Sequence, residues 1–152
     1  MLKNIVVAGG GVLGSQIAYQ AAYCGFNVTI WLRSESSIQR TKPKLEHLHQ
    51  VYAETIHKMA TPEGQNFQDW ARGIADHDTF DEAACLAKNE QAYAGLKLEL
   101  DLSKAVADAD LVIESMAENV EDKIAFYKKL APLLPTKTVV ATNSSTLLPS
   151  QF

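Results

Sequence analysis

Three features of the sequence predict an α/β fold with a doubly wound, mostly parallel sheet. A β-rich apolar run over residues 3–8, KNIVVA, leads into the glycine turn GGGVLGS and a helical pattern over 16–24. A second β-rich run over 27–32 follows at once, so strand, turn, helix and strand make a βαβ unit. The runs 96–102, 110–116 and 137–143 supply three more strands, with helical patterns between them.

Each element has a local cause. Gly25 closes the first helix in the usual post-helix position. Ser34, Ser36 and Ser37 can cap the next one. A stripe of Ile38, Leu45, Leu48, Val51, Tyr52, Thr55, Ile56 and Met59 predicts a helix over about 37–60, with Pro43 marking a kink or a late start. TPEG at 61–64 is a break, and shorter helices are expected at about 66–73 and 80–94, the second ended by Gly95. This helical excursion after strand 2 is long for a simple doubly wound sheet. LKLELDL alternates apolar and charged residues, as a half-exposed strand does, and DLSKAVADAD carries a short capped helix. DLVIESM is a continuous apolar run, the mark of a strand covered on both faces. Val120, Ile124, Tyr127, Leu130, Leu133 and Leu134 stand at helical spacing over 119–134, and Pro135 ends that helix. KTVVATN is the fifth strand, and SSTLLPSQF begins a turn and a further helix.

The bulk numbers bound the function. The 152 residues fit one domain, read as 1–152, with 47% apolar and 21% charged residues, as in a globular protein. A net charge of −4 without a basic block argues against nucleic acid. No apolar run reaches the roughly 20 residues a membrane span needs, and glycines break the apolar start. Cys24 and Cys85 are too few for a metal site, and read as two buried thiols of a cytoplasmic protein.

Gly9, Gly11 and Gly14 form G-x-G-x-x-G between a strand and a helix. The first glycine permits the tight turn, the second lets a pyrophosphate approach the backbone, and the third lets helix and strand pack closely. With Val12 and Leu13 they open a helix whose free N–H groups favour an anion. The context, strand before and helix after, predicts a Rossmann-type dinucleotide site. The plainer alternative is that the glycines serve packing alone.

Three stretches together resemble the NAD-binding domain of the 3-hydroxyacyl-CoA dehydrogenase family, including its 3-hydroxybutyryl-CoA members: IVVAGGGVLGSQIAYQAAYCGFNVTI, DADLVIESMAENVEDKIAFYKKL and TVVATNSSTL. The resemblance spans the chain and is weakest over about 60–95. It implies hydride transfer between NAD(P) and the 3-hydroxyl or 3-keto group of an acyl-CoA, in fatty acid metabolism. It implies that Glu118 and Lys123 contact the cofactor, and that Ser145, in a turn begun by Asn143, touches both cofactor and substrate. An ordinary helix-start acid, a surface lysine and a helix cap are the plainer accounts. The family's catalytic His–Glu pair belongs to a His-x-x-Asn-Pro segment after strand five, followed by a helical domain that forms the homodimer. The sequence stops before both, so the expectation is an incomplete domain, inactive alone, with an apolar face near its last strand. His47, His49, His57 and His77 all fall in the excursion and read as exposed helix residues.

The second strand departs from the family. The acid that grips the adenosine ribose should stand at Leu32, and Arg33 follows it. Leucine cannot bind ribose hydroxyls, whereas the Arg33 fork suits a phosphate. Family habit favours NAD(H); the local chemistry leans to NADP(H). Glu35 is a distant substitute for the acid, and Arg33 stacked on adenine is the neutral account. Two other classes stay open: a non-catalytic NAD(P)-binding module, and a 3-hydroxyacid or 6-phosphogluconate type of dehydrogenase domain.

Overall fold

A computed structural model of the chain describes residues 1–66, 68 and 70–152. Its five strands are β1 (Asn4–Ala8), β2 (Asn27–Trp31), β3 (Lys97–Glu99), β4 (Leu111–Glu114) and β5 (Val139–Thr142). They stand in the order β3-β2-β1-β4-β5, and every pairing is parallel. The first half of the chain winds outward from β1 in one direction and the second half in the other. The strand order therefore reverses between β1 and β4, which is where open α/β sheets bind ligands.

Period-two alternation divides the sheet residues between two cores. Ile5, Val7, Val28 and Ile30 face α1 (Val12–Tyr23), α2 (Glu35–Met59) and α3 (Glu82–Gly95). Val6, Ala8 and Val112 face α4 (Leu102–Val106) and α5 (Val120–Leu130), through Val106, Phe126 and Leu130. The strand β1 is covered on both sides, as its unbroken apolar run requires. Val139 and Val140 of the edge strand β5 remain exposed.

The excursion contains a helical pair joined to itself and to α1 by side-chain hydrogen bonds, one of them fully buried. The Tyr19 hydroxyl donates to Asn89 Oδ1 at 2.6 Å, and Asn89 Nδ2 donates to the His49 carbonyl at 2.9 Å. Tyr52 donates to Gln20, whose amide in turn reaches the Gly73 carbonyl at 2.7 Å. On the outer side His49 meets Glu90 and His57 meets Glu82, each at 2.7 Å. Of the four histidines, His47 and His57 are exposed, while His49 and His77 are half-buried.

Three local expectations change. Pro43 does not delay α2, which runs unbroken from Glu35 to Met59 behind a Ser34 cap; Thr41 and Leu45 on either side are buried, and Pro43 sits on the solvent face. The helix expected at 66–73 includes Phe67 and Asp69, outside the described residues. Over 70–76 the chain makes turns and extended backbone, fixed where the indole of Trp70 donates to the Ala75 carbonyl at 2.8 Å. Cys85 is buried but Cys24 is exposed, because it caps the end of α1.

Asn89 is both acceptor and donor in the joint between α1, α2 and α3. Asn89→Ala takes away the short bond of the Tyr19 hydroxyl and leaves it only the residue-89 carbonyl at 3.5 Å. It should cost about 1–3 kcal/mol, read as a lower urea midpoint with an unchanged slope.

Candidate functional site

The C-terminal ends of β1, β2, β4 and β5 open into a cleft of about 550 Å³. The glycine turn forms its floor. Gly9 has φ +119°, and a Cβ there would stand 2.5 Å from the Ser115 carbonyl oxygen. A Cβ on Gly14 would strike the Gly9 carbonyl oxygen, and one on Gly10 would strike Thr41 and Leu32. At Gly11 a Cβ would meet nothing within 4 Å. Three glycines are thus demanded by neighbouring atoms, whereas Gly11 faces only the open cleft. Behind it α1 starts with Gly11 as N-cap, with no side-chain cap and no acid in the first turn. Its first N–H groups are left for an anion. Val12 and Leu13 stand exposed at this point.

One wall is fixed by a buried ion pair. Glu114 ends β4 and Lys123 lies one turn into α5, and neither side chain has any exposure. Lys123 Nζ is 2.8 Å from both Glu114 oxygens. The Met116 N–H donates to Oε1 and the Thr142 hydroxyl to Oε2, each at 2.6 Å. Burial and the Glu114 charge push the neighbouring Tyr127 hydroxyl up to about 12. Glu118 stands further out. The hydroxyls of Thr146 and Ser144 donate to it at 2.7 and 2.8 Å, with Lys123 Nζ at 3.7 Å. Those hydroxyl bonds, with the lysine charge behind them, hold its carboxyl down to about 2. Asn143 is anchored by its N–H to the Glu114 carbonyl at 2.8 Å, and Ser145 is exposed on the cleft side.

The opposite wall is cationic. Leu32 is buried at its back. Arg33, Arg40 and Lys44 line it, with Arg40 donating to Ser37 Oγ at 3.0 Å and Lys44 to the Arg40 carbonyl at 2.7 Å. The Thr41 hydroxyl donates to the Ser37 carbonyl at 2.8 Å and lies 3.2 Å from the Gly10 carbonyl, tying α2 to the floor. Arg33 Nη1 lies 3.8 Å from Asp122 Oδ2. Among the described residues no cluster could hold a metal ion, and no helix is long and apolar enough to cross a membrane.

The cleft brings together Gly9, Gly11, Val12, Leu13, Gly14, Leu32, Arg33, Glu118, Asn143 and Ser145. Lys123 lies behind the wall. A model of the family described as 3-hydroxyacyl-CoA dehydrogenase, NAD binding domain, matches residues 4–152. The chain belongs to that family.

Relatives of this NAD-binding domain agree with the assignment. A probable 3-hydroxyacyl-CoA dehydrogenase of Caenorhabditis elegans is 27% identical, over 96% of this chain and 40% of that protein. The mitochondrial hydroxyacyl-coenzyme A dehydrogenase of Homo sapiens is 26% identical over 97% and 40%. The chain thus spans about 40% of the length of these curated relatives. A solved diketoreductase, described as acting on dicarbonyl compounds, is 38% identical with a TM-score of 0.76, over 99% of this chain and 44% of that one. The 3-hydroxybutyryl-CoA dehydrogenase of Escherichia coli K12 has a TM-score of 0.71 at 24% identity, over 99% and 26%, a likeness of fold.

Sequence reasoning missed Gly10, Glu114, Asp122 and, on the cleft side of α2, Arg40, Thr41 and Lys44. Ser37, Arg40, Thr41 and Lys44 follow i, i+3, i+4, i+7, a polar stripe that periodicity could have marked.

Two outcomes follow from this NAD-binding domain. Lys123→Met strands the Glu114 charge in the interior and should cost about 3–5 kcal/mol in urea unfolding. Glu118 has its folded pKa depressed from 4.5 to about 2. Its contribution is complete above about pH 4.5 and is lost as pH falls through about 2. NMR shifts of Ser144 and Thr146 should therefore move with a midpoint near the lower value, not near 4.5.

Proposed function

We propose that this domain holds a nicotinamide dinucleotide along the cleft. In the whole protein it would serve hydride transfer between that cofactor and the 3-hydroxyl or 3-keto group of an acyl-CoA. The observation that carries the reading is Gly11, the one glycine of the turn at which an added Cβ would meet no atom of the described residues. Gly11, Val12 and Leu13 would receive the pyrophosphate at the start of α1. Glu118 and Asn143 would flank the nicotinamide end, with Lys123 holding Glu118 from behind. Ser145 would offer its hydroxyl to the substrate's 3-oxygen. When bound, the cofactor supplies the hydride acceptor or donor.

The proton of the substrate hydroxyl needs a base of matched pKa. In this reading the family's His–Glu pair provides it from outside residues 1–152. The histidines present support that division: His49 and His57 are engaged with glutamates on α3, and none of the four lines the cleft. This chain alone is then expected to bind cofactor without turnover. The homodimer belongs to the whole protein, and two free thiols, one exposed, support a reducing compartment such as the cytoplasm.

At the adenosine end the wall supports NADP(H). Leu32 offers no carboxylate, and three cations stand beside it. Binding titrations with NADPH and NADH should show NADPH the tighter, by a margin that shrinks as salt rises. Leu32→Asp should reverse the order by restoring a ribose acceptor and repelling a 2′-phosphate. Equal or tighter NADH binding in the native chain would return the domain to the family's NAD(H) habit.

The diketoreductase identity of 38%, against 26–27% for the two acyl-CoA relatives, supports a second substrate reading: a free dicarbonyl compound. Turnover of the whole protein with a 3-ketoacyl-CoA and with a free β-dicarbonyl compound separates the two.

A further inference from the structure

Trp31, the last residue of β2, packs its ring on Phe126 of α5 with centroids 5.3 Å apart. Arg33 is two residues further along the chain, just past the end of the strand. Asp122 is four residues before Phe126 and lies on the same face of α5. The two contacts are successive rungs between one strand end and one helix, the outer rung being Arg33 Nη1 to Asp122 Oδ2 at 3.8 Å. Both outer side chains line the cleft. They are 68% and 52% exposed, so the bridge is loose and open to exchange. The α5 first turn also favours a negative charge at this point, and the Asp122 N–H is already satisfied by Asn119 Oδ1 at 2.9 Å. Among the described residues the only other acid lining the cleft, Glu118, is engaged by Ser144 and Thr146.

We infer that Asp122 is a specificity-determining residue for the cofactor: it pairs with Arg33 and opposes a 2′-phosphate that would take its place. This rests on the dinucleotide reading of the cleft but not on which cofactor the native chain prefers. A phosphate drawn to Arg33 must displace a carboxylate and then sit near it. NADH carries no 2′-phosphate and loses little to the same charge. Asp122 therefore lowers the ratio of NADPH to NADH affinity whatever its starting value.

The test is a set of titrations with NADPH and NADH on the native chain, Asp122→Asn, Arg33→Gln and the double variant, at low and moderate salt. Circular dichroism confirms that each is folded. Asp122→Asn should tighten NADPH by about threefold to tenfold at low salt and less at moderate salt, with NADH changed by less than about twofold. In the Arg33→Gln background the same substitution should gain much less, since the two effects are coupled through one pair. An unchanged NADPH-to-NADH ratio, weaker NADPH binding, or an equal gain without Arg33 overturns the inference while leaving the cleft reading intact. If the folded native chain binds neither nucleotide, the cleft reading falls and the inference with it.

Discussion

The buried pair of Glu114 and Lys123 is the constraint on which the functional half of the molecule depends. Two charges withdrawn from water are tolerable only when each finds full compensation. Here each carboxylate oxygen accepts from the lysine and from one further donor, Met116 N–H on one side and the Thr142 hydroxyl on the other. Glu114 and its three partners come from the end of β4, the loop after it, α5 and the end of β5. One charge pair therefore fixes where four segments meet. Replacing it with an apolar pair of equal volume need not weaken the fold, but nothing apolar would dictate the loop's course. The pair's contribution is to position rather than to stability. Glu118, with its hydroxyl partners, stands on a support made one layer deeper.

The two sides of the cleft differ in how they are held. The β2 side leans on a three-helix block whose inner joints are neutral, a tyrosine, an asparagine, a glutamine and a second tyrosine, with histidine–glutamate contacts on its outer side. The β4–β5 side is held by charge. Between them the start of α1 presents backbone N–H groups without a competing side chain. The cleft thus runs from a cationic end, past a neutral anion cradle, to an end ordered by carboxylates and hydroxyls. A ligand matched to that sequence of surfaces is itself graded along its length.

Much of this was legible in the chain. The succession of strands along the chain, the glycine turn, the Ser34 cap and the Asn143–Ser145 turn all follow from local pattern, because each is built from neighbours in sequence. Glu114 was not legible, since a glutamate closing an apolar run reads as the strand's exposed end. Its burial depends on a lysine nine residues away, which by helical spacing alone looked like a surface residue. The cationic face of α2 was hidden for a different reason. The apolar stripe that announces the helix draws attention to its core side, and the functional side is the other one. Residues 70–76 form turns and extended backbone, with the Trp70 indole bonded to the Ala75 carbonyl, a contact that local composition does not announce. Cys24 was misplaced because burial of a small apolar residue at a helix end depends on what covers that end.

The glycine turn divides its residues by what each answers to. Gly9, Gly10 and Gly14 are held by the protein's own atoms, so any descendant of this chain that still folds must keep them small. Gly11 answers to nothing inside the molecule. If the domain ever ceased to carry a ligand, that position would be the first of the four released to drift, since a side chain there would leave the fold undisturbed. Its identity across diverging descendants is therefore a record of ligand use, separable from the record of folding kept by the three glycines around it.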